Sequence, residues 1–125
     1  MPHRSHLCTI VIDVSEDQLD DNVAFWGGAT GKELKGLTYP EFHGARLHDS
    51  LVLLVQRLGD GQPRVHLDIH TDDVAAEIHR LEALGAAVVE RHDEWTVMRD
   101  PAGLPFCVVL APEGSLETPD VLTWG

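Results

Sequence analysis

Two parts of the chain repeat one order of hydrophobic and polar positions. Residues 7–14 (LCTIVIDV) form a short apolar run rich in β-branched side chains, which predicts a mostly buried strand. Residues 16–26 then carry apolar side chains at spacings of four and three, which predicts a helix with one apolar face. These apolar side chains are Leu19, Val23 and Trp26. We expect Ser15 to cap this helix and Gly27-Gly28 to end it.

Three further strands are expected after the first helix. Residues 31–44 alternate only weakly and contain Gly and Pro, so they predict one poor strand and a loop, followed by a strand near residues 45–47. Residues 50–57 (SLVLLVQR) form a continuous apolar run that predicts a central strand. The sequence Gly59-Asp60-Gly61 then indicates a linker.

The same order begins again after Pro63. Residues 64–71 predict a strand, and residues 72–84 predict an amphipathic helix capped by Thr71 or Asp72. Its apolar stripe is expected to consist of Val74, Ile78, Leu81 and Leu84. Gly85 has the position of a residue that ends the helix.

Short strands are expected again after the second helix, at residues 87–90, 94–99 and 105–111. The sequence Asp100-Pro101-Ala102-Gly103 predicts a turn between the last two. The tail from residue 112 has no periodicity and predicts a loop, packed on the surface by Leu116, Val121 and Trp124.

The repeated order predicts an α+β fold of two tandem βαβββ modules that form a curved mixed sheet around a concave pocket. A half with one helix and four short strands buries little by itself, so the two halves are expected to share a core in a single domain of residues 1–125. Module one spans about residues 7–57, a linker about 58–63 and module two about 64–111, with a C-terminal tail at 112–125.

Composition narrows the classes of partner. The chain has 21 acidic and 9 basic residues and a net charge of −12, which argues against nucleic acid. No run approaches the roughly 18 apolar residues that span a bilayer, and no secretory segment is recognisable, so a cytoplasmic protein without a membrane partner is expected. Cys8 and Cys107 lie in apolar strand-like runs far apart, which favours buried thiols over a disulfide.

Strand 64–71 carries the strongest candidate chemistry. Its alternation places Val65, Leu67 and Ile69 on one face, expected to cover the helix. The other face consists of His66, Asp68 and His70. This row can bind a metal, relay a proton or contact an anionic ligand. For Asp68 and His70, simple exposure to solvent at the edge of the sheet is an equally good interpretation. His66 is a stronger candidate for a site residue because it is expected in the middle of the sheet.

Three motifs give the chain a family resemblance. They are VHLDIHTDD before a helix that ends in ALGA, RDPAGLPFCVVLAP with its Asp-Pro-x-Gly turn, and AFWGG at the end of the first helix. With the doubled module, they resemble the vicinal oxygen chelate superfamily, which includes glyoxalase I, extradiol dioxygenases and bleomycin-resistance proteins. The resemblance covers about residues 7–111 and implies a small-molecule site in the concave face of the sheet.

The resemblance also implies where a metal would be held. Metal-using members place His and Glu at positions that correspond here to Thr9 (or Cys8, if the register slips by one), Gln56, His66 and Cys107. Only His66 keeps the expected type, and a Thr and a neutral amide are poor ligands for a hard divalent ion. The carboxylate base of glyoxalase chemistry is also missing, so glyoxalase activity is not expected.

A zinc site is the alternative that these positions leave open. If Cys8 faced the pocket, it could bind Zn²⁺ with His66 and Cys107, and Gln56 or water would complete the set. Strand alternation argues against this arrangement, because it groups Cys8 with Ile10 and Ile12 on the apolar, helix-facing side.

We therefore expect a protein that binds a small molecule without a metal or other cofactor. The expected lining of its pocket is Thr9, Gln56, His66, Asp68, Cys107 and Val109, with Trp95 or Trp26 at the margin. One alternative is an isomerase or lyase that uses His66 as acid or base, and another is a metal-dependent lyase or dioxygenase with a non-standard site. A homodimer is expected, and a dimeric domain that acts mainly through partner contacts is the third class.

Overall fold

The computed structural model describes residues 2–37, 41–58 and 62–125. Residues 59–61 of the predicted linker 58–63 lie outside this range. The described residues form nine strands and two α-helices, and their order confirms the predicted α+β class with two βαβββ modules. The chain divides into two compact units: the first is Thr9–His66, and the second combines Met1–Cys8 with Leu67–Gly125. That the chain forms a single domain stays a prediction.

The first unit contains one complete βαβββ module. Strand β1 (His3–Ser15) enters it at Thr9 and is followed by a 3₁₀ turn (Glu16–Gln18) and helix α1 (Leu19–Thr30). The three following strands are β2 (Lys35–Gly36), β3 (Phe42–His48) and β4 (Leu51–Leu58). Their order in the sheet is β2-β3-β4-β1, in which β4 runs parallel to β1 and antiparallel to β3. A parallel neighbour needs a long crossover, which α1 and the two intervening strands provide.

Helix α1 extends further than the predicted end at Gly27-Gly28. It continues to Thr30, whose hydroxyl donates to the carbonyl of Trp26 at 2.6 Å, and Gly31 ends it with a φ of 71°. A helical glycine costs only about 1 kcal/mol, whereas a left-handed φ strongly favours glycine, so Gly31 is the effective stop. Packing also favours glycine at position 27, since a Cβ there would lie 3.2 Å from the carbonyl oxygen of Lys32.

Ser15 stands at the N-cap position of the 3₁₀ turn, whereas Gln18 has that position in α1, and Ser15 does not cap through its side chain. Its hydroxyl donates to Oδ1 of Asp17 at 2.7 Å and also lies 3.0 Å from Oε1 of Gln18. The predicted capping role is therefore wrong. The hydroxyl is directed at nearby carboxylate and amide oxygens, and it forms no capping hydrogen bond with a backbone N–H.

The core of the first unit lies between α1 and one face of its sheet. The buried members are Ile12, Val14, Leu19, Leu34, Leu53 and Val55. Ile10, Val23 and Trp26 pack against them, which confirms the predicted apolar face of the helix. Burying side chains of this size contributes roughly 1.5–3 kcal/mol each, before the entropy cost of ordering them. Because the even-numbered residues of β1 face α1, its odd-numbered residues in this unit lie on the opposite face.

The second unit contains the second βαβββ module without the first three residues of its first strand. It contains β5 (Arg64–Thr71) from Leu67 onward, α2 (Val74–Ala83), β6 (Ala87–Arg91), β7 (Trp95–Arg99) and β8 (Pro105–Leu110). Strand β8 runs parallel to β5 and antiparallel to β7, and β7 pairs antiparallel with β6. The core here consists of Ile78, Leu81, Met98, Phe106 and Val108, with Leu67, Ile69 and Val74 packed against it.

Three details of this helix and its strand differ from expectation. Asp73, rather than Thr71 or Asp72, caps α2, because its side chain accepts from the amide of Ala76 at 3.0 Å. Leu84 is 68% exposed, since it follows the last helical turn, and Gly85 ends the helix with a φ of 113° as predicted. Val65 is 53% exposed, so it does not cover the helix as Leu67 and Ile69 do.

The C-terminal tail is not the predicted loop. It contains a ninth strand, β9 (Leu122–Trp124), which pairs antiparallel with the start of β1 so that His3 lies opposite Trp124. This partner explains why β1 begins at His3, four residues before the predicted start. Leu116 is buried, as expected for the surface packing of the tail.

A buried carboxylate fastens this tail to helix α2. Glu77 is 0% exposed and accepts from Nε and Nη2 of Arg80 at 2.8 and 2.7 Å, from the hydroxyl of Ser5 at 2.9 Å, and bonds Nε2 of His3 at 2.8 Å. Trp124 donates its indole N–H to the same Ser5 hydroxyl at 2.9 Å, and Arg80 lies 3.9 Å above its ring. These contacts satisfy a charge that would otherwise be costly to bury.

Candidate functional site

A buried carboxylate lies on the face of β1 that looks away from helix α1. Thr9, Val11 and Asp13 alternate onto this face, and Asp13 is only 1% exposed. A carboxylate at this depth needs partners, because transferring an unpaired charge out of water costs many kcal/mol. The side chains around Asp13 therefore form the candidate site of this unit.

His66 is the principal partner of Asp13. Its Nδ1 lies 2.7 Å from Oδ2 of Asp13, and the imidazole is 20% exposed. A carboxylate oxygen can only accept, so Nδ1 carries the proton in this contact. In the neutral ring, the acceptor lone pair then belongs to Nε2. The predicted site residue His66 is thus held in a defined tautomer and orientation.

Arg64 approaches the same carboxylate oxygen. Its Nε lies 3.7 Å from Oδ2 of Asp13, which is an ion pair rather than a hydrogen bond, and its side chain is 60% exposed. Arg64 and His66 are two residues apart on β5, so they leave the strand on the same face. Asp13 therefore has two cationic or protonatable neighbours, one partly buried and one largely in solvent.

Gln56 joins this group through the register of the sheet. It lies directly opposite Asp13 in the parallel pair of β1 and β4, and Phe42 lies opposite Gln56 on β3. Thr9 is opposite Val52 instead, four residues along β1 and so about 13 Å from Asp13. Within the first unit, the structure brings Gln56 and His66 to one place and leaves Thr9 further along the strand.

Oδ1 of Asp13 is the remaining acceptor of this group. It is buried and has no hydrogen-bond partner among the residues that the structure describes. Buried polar atoms of native proteins are bonded in the great majority of cases, so such an exception marks a place where a further donor fits. We refer to Asp13, Gln56, Arg64 and His66 as the Asp13 cluster.

The other predicted site residues lie in the second unit. Asp68 is directly beside Cys107 in the parallel pair of β5 and β8, and Val109 has His70 on one side and Trp95 on the other. Trp95 stacks on His92, with ring centroids 4.2 Å apart, and is 42% exposed. Asp68, Cys107 and Val109 are each half-buried on the side of the strands away from α2. Trp26 packs with the core of the first unit, so it does not belong to the Asp13 face.

His70 lies in a less polar setting than His66. Burial lowers the pKa of its imidazole, the nearby Asp68 carboxylate opposes this effect, and the neighbouring His6 adds to the lowering. Burial likewise lowers the pKa of His6, while Asp120 opposes it. The neutral form of both rings is therefore favoured in the folded protein.

The donor set at the family's metal positions does not fit a hard divalent ion. Thr9 is 4% exposed on the Asp13 face, and Gln56 supplies a neutral amide beside Asp13, so neither position offers a charged oxygen. The predicted zinc alternative consists of Cys8, His66 and Cys107, and it requires Cys8 to face the site, although Cys8 is only 7% exposed. Neither cysteine forms a disulfide within the described part of the chain.

Asp13 and Arg64 are the two residues that sequence reasoning missed. Asp13 interrupts an otherwise apolar strand, and an acidic residue in such a run is a signal of a buried, partnered carboxylate. Alternation from Thr9 also places Asp13 on the candidate face, and the same rule extends the His66 row back to Arg64. What the pattern does not contain is the pairing of two residues separated by 53 positions.

The doubled βαβββ order, with polar residues on the face away from each helix, defines a glyoxalase-like class of protein. The family model described as "Glyoxalase-like domain" matches residues 9–109, and the chain belongs to this family and to the vicinal oxygen chelate superfamily. No curated protein matches the chain. Family membership supports a small-molecule-binding or enzyme-like function.

Solved structures share this fold at low sequence identity. A hypothetical protein from Bacillus halodurans has a TM-score of 0.66 and 12% identity, over 87% of this chain and 96% of that one. A protein described as an NAD-dependent benzaldehyde dehydrogenase from Legionella pneumophila has a TM-score of 0.60 and 11% identity, over 82% and 99%. A mutant 4-hydroxymandelate synthase from Streptomyces coelicolor has a TM-score of 0.53 and 15% identity, over 89% of this chain and 50% of that one. These similarities show the fold alone.

No helix among residues 2–37, 41–58 and 62–125 has the length and apolar character needed to cross a membrane.

Proposed function

We propose that this protein binds a small polar molecule at the Asp13 cluster, with the imidazole of His66 as the principal contact and without a resident metal. The observation that carries the proposal is the 2.7 Å contact between Oδ2 of Asp13 and Nδ1 of His66. This contact fixes the orientation of an imidazole that is one-fifth exposed, so a polar ring faces the ligand in a defined position. A preorganised polar group gains affinity because little further ordering is needed when the ligand binds.

The chemistry of the neighbouring side chains supports binding without a metal. Gln56 offers both donors and an acceptor, which suits a neutral or polar ligand better than a divalent cation. Arg64 adds a positive charge to the same place, and a positive charge opposes the binding of a cation. Thr9, Asp68, Cys107 and Val109 remain proposed ligand-binding residues.

Catalysis by His66 is the second candidate, and the Asp13 contact favours it. A buried carboxylate behind an imidazole holds one tautomer and stabilises the imidazolium that forms when Nε2 accepts a proton. His66 would then act as acid or base in an isomerase or lyase. As an isomerase, His66 would take a proton from one position of the ligand and return it to another. As a lyase, it would take a proton from a carbon next to an electron-withdrawing group while the electron pair forms a double bond and a leaving group departs from the neighbouring carbon.

The binding proposal is tested by following the His66 imidazole nitrogens by NMR while a library of small polar metabolites is added. We expect at least one compound to shift the Nε2 signal of His66, and this compound should lose affinity in His66→Gln. His79→Gln is the matched control, because His79 is exposed on α2 and should not matter. If bound compounds shift other signals but never those of His66, the proposal is wrong.

Turnover separates the two candidates. Compounds that bind are incubated with the protein and examined for chemical change by NMR or mass spectrometry. Binding without change supports the first candidate, whereas conversion that is lost in His66→Gln supports the second. Stoichiometric zinc in protein purified without a His tag, lost in Cys107→Ser, would overturn the metal-free proposal and support a metal-dependent lyase or dioxygenase.

Self-association and location are also proposals. We propose a homodimer and a cytoplasmic protein, as expected from the family resemblance and the composition. Light scattering coupled to size-exclusion chromatography measures the first, and fractionation of the source cells measures the second.

A further inference from the structure

An open surface cavity of about 610 Å³ lies in the second unit. Its lining comes from helix α2 and from the paired ends of β1 and β9, where His3 lies opposite Trp124. Cavities of this volume hold small organic molecules. None of the residues that line it belongs to the Asp13 cluster, so a ligand here would be independent of the proposed function.

His3 contributes an oriented hydrogen-bond acceptor to this cavity. Its side chain is only 7% exposed, and its Nε2 lies 2.8 Å from Oε1 of Glu77, which is completely buried. Glu77 also accepts two hydrogen bonds from Arg80, as an ionised carboxylate does, so Nε2 of His3 carries the proton of this contact. In the neutral ring the lone pair then belongs to Nδ1, which forms no hydrogen bond with any residue that the structure describes. An almost completely buried imidazole with one unbonded nitrogen marks a place where a donor fits.

Apolar groups form much of the cavity wall. Ala75 and Ala76 contribute methyl groups from α2, and Trp124 contributes an indole ring whose N–H already donates to Ser5 at 2.9 Å. Cζ of Arg80 lies 3.9 Å from the centroid of this ring and helps to hold it in place. Methyl groups beside an aromatic ring suit a ligand with a flat, apolar body.

The charged groups favour a neutral ligand. Among the side chains that line the cavity, Asp73 carries a negative charge and Arg80 a positive one that is paired with Glu77, while His79 is exposed on α2. An anion would be repelled by Asp73 and by the net charge of −12. A cation would be attracted by Asp73 but repelled by Arg80, which already lies over the ring of Trp124. Either ion would also lose water against apolar walls, a cost that a neutral molecule avoids.

We propose that this cavity binds a small, neutral aromatic molecule that carries an O–H or N–H donor, as phenols and indoles do. The donor binds Nδ1 of His3, and the aromatic ring packs against Ala75, Ala76 and Trp124. Glu77 fixes the tautomer of His3 that accepts this hydrogen bond. The cavity is therefore a second binding site, beyond the proposed function of the Asp13 cluster.

The test compares phenol with anisole, and indole with 1-methylindole. In each pair the methylated compound keeps the ring but loses the donor. Titration calorimetry measures the affinity, and the nitrogen chemical shift of Nδ1 of His3 reports the hydrogen bond. We expect phenol and indole to bind the wild type about threefold to tenfold more tightly than their methylated partners, which is the gain expected of one neutral hydrogen bond. They should also shift the Nδ1 signal.

Two variants and a control assign the binding to this cavity. His3→Gln can still donate to Glu77 through its amide nitrogen but has no acceptor at the place of Nδ1, so the preference for the donor should disappear. Ala76→Leu leaves the contacts of Glu77 in place and fills part of the cavity, so the affinity for every probe should fall. Ala83→Leu is the matched control, because Ala83 is exposed on α2 and does not line the cavity. Circular dichroism and urea unfolding show whether each variant is folded.

The inference is overturned if the two members of each pair bind the wild type equally well, or if the preference for the donor persists in His3→Gln. Unchanged affinity in Ala76→Leu would place the probes elsewhere on the protein. Tighter binding of benzoate or benzylammonium than of phenol would show that the cavity selects a charged ligand. If none of the probes binds at millimolar concentration, the inference is also wrong. These results leave the Asp13 cluster to its own test, which follows the His66 signals.

Discussion

Oδ2 of Asp13 on β1 lies 2.7 Å from Nδ1 of His66 on β5, and the two residues are 53 positions apart in the sequence. The contact joins a carboxylate that is almost completely buried to an imidazole that is one-fifth exposed. The carboxylate is enclosed while the ring reaches the surface. The carboxylate can therefore orient the ring, but only the ring is accessible. A buried group that orients an accessible one is the usual arrangement behind a functional histidine.

Asp13→Asn tests whether the carboxylate positions His66. The amide cannot serve as the same charged acceptor, so we expect His66 to populate both neutral tautomers and ligand affinity to fall about 10- to 100-fold. Nitrogen chemical shifts of the imidazole report the tautomer directly. Asp93→Asn, at an exposed loop position, is the control and should change neither quantity. An unchanged His66 spectrum in Asp13→Asn would show that Asp13 has no positioning role.

Glu77→Gln should be among the more destabilising single changes outside the Asp13 cluster. It removes the charge that pairs with Arg80 and weakens the bonds to His3 and Ser5, and breaking a buried pair costs about 3 kcal/mol or more. Urea unfolding measures the loss. Glu82→Gln on the exposed side of α2 is the control and should stay within about 0.5 kcal/mol of the wild type. Hydrogen exchange should also show faster opening of β9, since Trp124 is linked to the same network.

The Glu77 carboxylate also makes the free energy of unfolding depend on pH in the acid range. Burial raises the pKa of Glu77, but hydrogen bonds from Arg80, His3 and Ser5 outweigh it and hold the pKa below its usual value of 4.5. The unfolded chain therefore takes up this proton first as the pH falls, so the stabilisation is present above about pH 4.5 and is lost below it. Unfolding free energies between pH 6 and pH 3 should fall less steeply in Glu77→Gln than in the wild type. Equal slopes would contradict the assignment.

His70 should contribute a second pH dependence at a higher pH. Burial lowers its pKa from the usual 6.5, so the unfolded chain binds the proton more readily than the folded protein. The corresponding stability is present above about pH 6.5 and declines as the pH falls towards the lower folded pKa. We expect His70→Gln to flatten this part of the stability curve, measured by urea unfolding, and His79→Gln to leave it unchanged. A steeper dependence in His70→Gln would have the wrong sign.

Gly28 and Gly31 form a matched pair for testing the end of helix α1. A Cβ at either position meets no atom within 4 Å, so space does not distinguish them, whereas only Gly31 has a positive φ. Gly31→Ala should destabilise the protein by about 1–2 kcal/mol. Gly28→Ala should stabilise it by about 0.5–1 kcal/mol, because the helix continues through this position. Thermal unfolding of the two variants checks both signs, and a destabilising Gly28→Ala would mean that the helix ends earlier.

Much of the fold could be predicted from local pattern. The alternation in residues 64–71 and the spacing of Ile78 and Leu81 identify β5 and α2 because side chains on one face of an element must be buried together. The ninth strand could not be predicted, since three residues at the end of the chain have no periodicity of their own. Their strand conformation depends on hydrogen bonds to His3–Ser5, more than 110 residues away in the sequence.

The candidate site divides in the same way. Alternation along residues 64–71 was enough to predict that His66 and Asp68 share a polar face, and the family resemblance implied that Thr9 and Gln56 correspond to ligand positions of metal-using members. The contacts of Asp13 with His66 and Arg64, the place of Gln56 opposite Asp13 and the place of Thr9 further along the strand became known only from the folded chain. Alternation along a strand is a local property of the backbone, whereas the register between distant strands depends on the packing of the whole unit.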